Sequence, residues 1–310
     1  MDIMTKKVAL LFGLFVTSLA VIAILSVRDN PARPTDGEAR HTSNDGHLIR
    51  YYVKGELDAE PVILLASYAR SGSDFNELVE SISLAGYRTI VVQARGIDGS
   101  ELPDGAVSLF DYAEDVAAVV RQERLSQPVT LIGHAFGNRV VRAYSSRYPN
   151  RVRSMVLLAA GDSSPPPKTR NDIIMILIGT LPESIRTRAL QRAFFAPGNH
   201  APSHWISGWY PRAGLAQGTA TATTPHDQWI HGGKAPILVV QPTHDAAAEH
   251  GANKLRNLYP DRVTVLSLEG SGHAILPEQP EQVARLVLDH LVGRRQKQEA
   301  HVCSFNLTQC

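Results

Sequence analysis

The chain has 310 residues, 44% of them hydrophobic and 20% charged, with 31 basic against 30 acidic side chains. That length and composition suit one large globular domain with a core that needs no disulfide staples. Near-neutral charge, without a basic stripe interleaved with aromatics, argues against nucleic acid as a partner.

Lys6 and Lys7 precede an uncharged run from Val8 to Val27. As a helix, such a run would rise about 30 Å and match a bilayer core. Residues 1–27 therefore read as a membrane anchor, or alternatively as a signal segment cleaved near Ser18-Leu19-Ala20. Either reading puts the folded part outside the cytoplasm, periplasmic or extracellular, anchored or secreted. Residues 28–45 are polar, carry Pro31 and Pro34, and read as an extended linker.

From His47 onward short apolar runs alternate with helical stretches. His47–Lys54 alternates as a leading strand, and Pro61–Ala66 is a continuous apolar run expected of a strand covered on both faces. Asp74–Ala85 reads as a helix stopped by Gly86, Arg88–Gln93 as a strand and Leu109–Glu123 as a helix. Val129–Ile132, Val152–Ala159, Ala235–Gln241 and Arg262–Leu268 supply further strands, with helices over Phe136–Tyr148 and Gln279–Arg294. The pattern predicts an α/β fold over residues 46–295, a mostly parallel central sheet with helices on both faces. Residues 161–234 are too long for a simple crossover and read as a helical cap, with an apolar helix at Asn171–Leu181 and the aromatics Phe194, Phe195, Trp205, Trp209 and Tyr210. A polar tail, 296–310, carries the only cysteines, Cys303 and Cys310, which an oxidising compartment would allow to pair, and the sequon Asn306-Leu307-Thr308.

Gly133-His134-Ala135-Phe136-Gly137 lies between a buried strand and a helix. Two glycines at that spacing let a strand turn sharply into a helix, holding the middle residue in strained geometry at a cost of about 1–3 kcal/mol. Three more features follow in order: Arg95-Gly96-Ile97-Asp98-Gly99-Ser100 after a strand, Asp245 after the strand ending at Gln241, and Gly270-Ser271-Gly272-His273 before Pro277-Glu278-Gln279-Pro280. A carboxylate bonded to one imidazole nitrogen fixes the tautomer and leaves the other nitrogen as a base.

Together these segments resemble the α/β-hydrolase fold family over roughly residues 47–294. The first resembles its Gly-x-Ser-x-Gly elbow with Ala135 in the nucleophile position, and chain order nucleophile, acid, base is the order this fold uses. The resemblance implies that Asp245 and His273 are acid and base, and that the oxyanion hole is formed by the backbone N–H groups of Phe136 and Tyr68. Two departures stand out. Asp98 occupies a usual glycine position, and Ala66-Ser67-Tyr68-Ala69 stands where the family often has His-Gly. In the same loop Arg70, Ser67 or Ser71 could face the pocket; Arg70 is a candidate for a substrate carboxylate, with a solvated loop arginine as the equal alternative. Trp209 is a candidate substrate contact from the cap, and His134 reads as packing. His226, His231, His244 and His250 have no zinc-site spacing, no Gly-x-Gly-x-x-Gly opens a helix, and no cofactor or metal is expected.

Three functional readings remain open. The first is a hydrolase-like enzyme acting on a small carbonyl or ester compound by His-Asp general-base chemistry without a serine. The second is a catalytically inactive protein that binds a small ligand. The third is a serine hydrolase in which alanine was engineered at Ala135. Gly-His-Ala-Phe-Gly-Asn, Phe194-Phe195-Ala196-Pro197-Gly198 and the Arg70 loop resemble a bacterial branch of the family that carries alanine naturally.

Overall fold

A computed structural model describes residues 29–161, 163–248 and 251–307, with side chains described as far as residue 296. The anchor or signal reading of residues 1–27 lies outside the described residues, as do His250, Cys310, the side chain of Cys303 and the completion of the sequon at Thr308. Among the described residues no helix is long and apolar enough to cross a membrane.

Eight strands form one sheet in the order β1-β2-β4-β3-β5-β6-β7-β8. They are β1 (Glu38–Asn44), β2 (His47–Lys54), β3 (Glu60–Leu65), β4 (Tyr87–Val92), β5 (Val129–His134), β6 (Val152–Leu158), β7 (Ile237–Pro242) and β8 (Val263–Leu268). The β1–β2 and β2–β4 pairs are antiparallel; every other neighbouring pair is parallel. Because side chains alternate across a strand, Ile63 and Leu65 of β3 enter one apolar layer and Val62 and Leu64 the other. Helices α1 (Asn76–Leu84), α2 (Leu109–Gln122) and α3 (Phe136–Arg147) follow β3, β4 and β5. Helices α2 and α3 bury Val116 and Val140 in the first layer; α1 and the last helix bury Val79 and Val287 in the second. Two-sided cover explains why β3, β4 and β5 are buried at nearly every position rather than alternating.

Between β6 and β7 the chain forms the cap: α4 (Pro167–Leu177), α5 (Glu183–Phe194) and α6 (Pro211–Thr223), with single helical turns at Ser203–Ile206 and His226–Trp229. Helix α7 (Gly251–Leu258) joins β7 to β8, and α8 (Pro280–Leu307) closes the chain.

The structure corrects three boundaries. Residues 28–45 are not tether throughout: Glu38–Asn44 is β1, hydrogen-bonded along its whole length to β2. Its residues are polar because it is an edge strand, and only Asn44 is buried. The apolar cap helix runs over Pro167–Leu177 rather than Asn171–Leu181, since Pro167, with φ already set, opens it. The tail read as polar continues the last helix to Leu307; no proline or glycine follows Gly293 to stop it.

Upstream of β1 the chain crosses the cap, with Asn30 N–H donating to the Trp209 carbonyl and Arg33 pairing with Glu77 on α1 at 2.7 Å. The Arg95 turn is a brace. Its guanidinium makes two 2.7 Å bonds to Asp115 on α2, and Asn44 of β1 donates to the same carboxylate at 2.8 Å. Asp98 adopts φ 45°, the left-handed conformation for which glycine is favoured. Its carboxylate, accepting from Tyr52 Oη at 2.8 Å and Gln93 Nε2 at 2.9 Å, gives a physical reason for an aspartate there.

Candidate active site

The elbow follows from backbone crowding. A Cβ on Gly133 would meet the Gly137 carbonyl carbon at 2.5 Å, and one on Gly137 would meet the Leu65 oxygen at 2.0 Å. With both flanks clear, β5 turns into α3 at Ala135, which takes φ 50° and ψ −105°. That backbone is costly for a residue with a Cβ. Ala135 lines a cavity of about 290 Å³, so the strained position presents a methyl group to it.

The structure brings Asp245 and His273 together across the sheet's carboxyl edge. His273 Nδ1 lies 2.9 and 3.0 Å from the two carboxylate oxygens of Asp245. Asp245 Oδ1 also accepts the backbone N–H groups of Ala247 at 2.9 Å and Ala248 at 2.8 Å. Burial alone would raise the Asp245 carboxyl; the facing imidazole and the two N–H donors outweigh it and hold the group below its ordinary value. With Nδ1 committed to Asp245, Nε2 is the nitrogen left for the cavity, which His273 also lines.

Three contacts fix the histidine loop. Glu278 accepts Gly272 N–H at 2.7 Å with one oxygen, and Ala196 N–H at 2.8 Å and Asn199 Nδ2 at 2.7 Å with the other. The Ala274 N–H donates to the Phe194 carbonyl at 2.8 Å. Beneath the loop, fully buried His134 bonds through Nε2 to the His273 carbonyl at 2.8 Å. A carbonyl only accepts, so that nitrogen carries a proton. Burial first, and the neighbouring His273 second, push its pKa down to about 4.

Tyr68 and Phe136 both line the cavity. Phe136 is the first residue of α3, where N–H groups have no carbonyl a turn earlier to bond. Tyr68 sits in a turn closed by Arg70 N–H donating to the Ser67 carbonyl at 3.2 Å, with Ala69 at φ 55°. The cap holds that conformation: Gln217 Oε1 on α6 accepts Ala69 N–H at 2.7 Å, and Tyr210 N–H donates to the Ala69 carbonyl at 3.0 Å. Burial raises the Tyr68 phenol to about 12, so it stays protonated.

Two expected substrate contacts, Arg70 and Trp209, are not among the residues that line the cavity. Arg70 is 1% exposed and does not line the cavity. Its guanidinium lies 4.6 Å from the Trp205 ring and 4.8 Å from the Trp209 ring, bonds Asp74 through Nε at 2.9 Å and Nη2 at 2.6 Å, and donates to the Ser207 and His204 carbonyls. Trp209, 2% exposed, is stacked on Phe194 and donates its indole N–H to the Trp205 carbonyl at 2.8 Å. Both residues build the joint between the cap and the Ser67–Arg70 turn. Ser71 is buried outside the cavity, hydrogen-bonded to Gln93 Nε2 at 3.1 Å, whereas Ser67 does line it.

The outer cavity wall includes Arg139, Arg170, Ile173 and Ile174. No motif marks them or Gln217, a polar residue inside an ordinary cap helix. Of the described members of the histidine set, His226 and His231 line one small cavity separate from the site, where His231 bonds Tyr259 Oη at 2.6 Å and His226 packs on Trp229, while His244 contacts Thr243. Among the described residues no group of three His, Cys, Asp or Glu is arranged to hold a metal ion.

The sheet order, capped carboxyl edge and strained elbow define an α/β-hydrolase fold, and residues 60–200 match the family model described as alpha/beta hydrolase fold. A non-heme chloroperoxidase of Streptomyces lividans is 33% identical over 132 residues, 42% of this chain and 46% of that protein. A cis-3-alkyl-4-alkyloxetan-2-one decarboxylase of Shewanella oneidensis is 26% identical over 124 residues, 38% of this chain and 37% of that protein. The chain thus spans less than half the length of these curated relatives. Among solved structures, a bacterial membrane phospholipase A superposes with a TM-score of 0.68 at 18% identity, covering 95% of this chain and 99% of that one, a likeness of fold alone.

Proposed function

We propose that this chain is a hydrolase-like enzyme for a small carbonyl or ester compound, using His273 and Asp245 as a general-base pair and no serine nucleophile. The observation that carries the reading is the bonded Asp245–His273 pair, whose histidine lines the same cavity as Ala135. His273 Nε2 takes a proton from water as the water oxygen attacks the carbonyl carbon. Asp245 stays ionised and stabilises the imidazolium. The developing oxyanion is held by the N–H groups of Phe136 and Tyr68. As the intermediate collapses, the imidazolium returns its proton to the leaving alcohol. General-base catalysis contributes about 10²–10⁴-fold.

We read Ala135 as the native residue and residues 1–27 as the membrane attachment, with the domain outside the cytoplasm; the uncharged run Val8–Val27 supports the latter. The test is turnover of a panel of aryl esters and lactones by the full chain. In His273→Ala, turnover falls at least about 100-fold; unchanged turnover rejects the base. The methyl at residue 135 favours a second reading, a ligand-binding protein without turnover. Thermal stabilisation by a panel compound that survives His273→Ala, with no turnover of any member, decides for it.

A further inference from the structure

We propose that the Ser67 hydroxyl, with His273 Nε2, holds the attacking water over the methyl of Ala135. This rests on the general-base reading and names the group that replaces the missing oxygen. A buried water needs about two to four polar partners, and a methyl group supplies none. Removing an oxygen at residue 135 therefore opens room for a water without anchoring it.

Ser67 meets the need from the facing loop. It is 4% exposed, yet it lines the same cavity as Ala135, Phe136 and His273. Among the described residues nothing hydrogen-bonds to its hydroxyl, while its carbonyl closes the turn with Arg70. The turn is not a loose loop, since Ala69 is clamped on both sides of its peptide by Gln217 and Tyr210. A side chain fixed at that position costs little further ordering when the water binds.

The step balances without a covalent intermediate. One water O–H bond breaks and its proton goes to His273 Nε2. The water oxygen forms the new bond to the carbonyl carbon. Ser67 Oγ accepts the second water hydrogen and keeps its own proton. When the C–O bond to the leaving group breaks, the alkoxide takes the proton from His273.

Three measurements on the full chain test this. A crystal structure of the wild type shows an ordered water bonded to both Ser67 Oγ and His273 Nε2, and Ser67→Gly loses or displaces it. Lack of that water in the wild type overturns the proposal, whether or not a substrate has been found. With any panel ester that is turned over, Ser67→Gly and Ser67→Ala lower kcat roughly 10- to 100-fold while KM changes less than about twofold, and Ser67→Thr retains most of the rate. Loss of turnover in His273→Ala together with an unchanged kcat in Ser67→Gly overturns the role of Ser67 and leaves the base intact. Unchanged turnover in His273→Ala instead overturns the base. Fluorophosphonate leaves Ser67 unlabelled by peptide mass; an adduct there makes Ser67 the nucleophile and overturns the water-holding role.

Discussion

Replacing Arg70 with methionine tests whether this guanidinium is part of the frame or a contact for ligand. Arg70 and Asp74 are both 1% exposed, joined by two bonds, and the guanidinium is flanked by two indole rings. Removing one partner of a buried pair costs about 3–5 kcal/mol because the other charge is left uncompensated. The Ser207 and His204 carbonyls lose their donor as well, which pushes the cost toward the upper end. Domains are typically stable by about 5–15 kcal/mol, so Arg70→Met is expected to fold with a much lower urea midpoint and an unchanged slope. Arg70→Met with Asp74→Leu should recover most of the loss, since replacing both charges removes the orphan. Urea titration followed by tryptophan fluorescence and far-UV circular dichroism reads all three proteins. A single variant within about 1 kcal/mol of wild type, a double variant less stable than the single, or a loss of ligand affinity at full stability each refutes the reasoning.

His134→Gln keeps a donor for the His273 carbonyl and removes a neutral buried imidazole. Because the folded-state pKa of His134 is lowered to about 4, the unfolded chain binds more protons below pH 6.5, and stability falls from there toward pH 4. That site accounts for about 3 kcal/mol, so the wild type should lose that much more than His134→Gln over the same window; equal losses deny a buried neutral ring. Ala135→Ser supplies an oxygen beside an assembled base, so fluorophosphonate should label the new side chain and esterase rate should rise at least about 100-fold. An unlabelled variant would mean that the elbow does not face Nε2. Gln217→Leu strands the buried Ala69 N–H and should cost about 1–3 kcal/mol in chemical denaturation. A variant as stable as wild type would deny the clamp.

The parallel strands were legible because two-sided burial leaves apolar runs; Val129–Ile132 marked β5, which runs on through Gly133 and His134. β1 was hidden for the opposite reason: six of its seven residues meet water or its rim, and a polar edge strand looks like linker. The elbow was readable because backbone crowding leaves only glycine at positions 133 and 137. Asp245 and His273 could be nominated by order along the chain, and the structure brings them within hydrogen-bond reach. The surroundings of Arg70 were not legible, because a charge in a loop gives no hint that two tryptophans more than 130 residues later will close around it. Gln217 escaped for the same cause, since what it bonds lies 148 residues away.

The cap grips the body on two sides of the cavity. Gln217 and Tyr210 hold Ala69, while Phe194 and Ala196 hold the segment from Gly272 to Glu278. Raising it like a hinged door would break the Ser67–Arg70 turn and unseat the imidazole in one motion. Ser163 and Arg170 are exposed residues of the cavity lining, so a ligand entering without cap opening would pass beside them. In hydrogen exchange, the amides of Ala69 and Ala274 should open together, at the free energy of losing the whole cap.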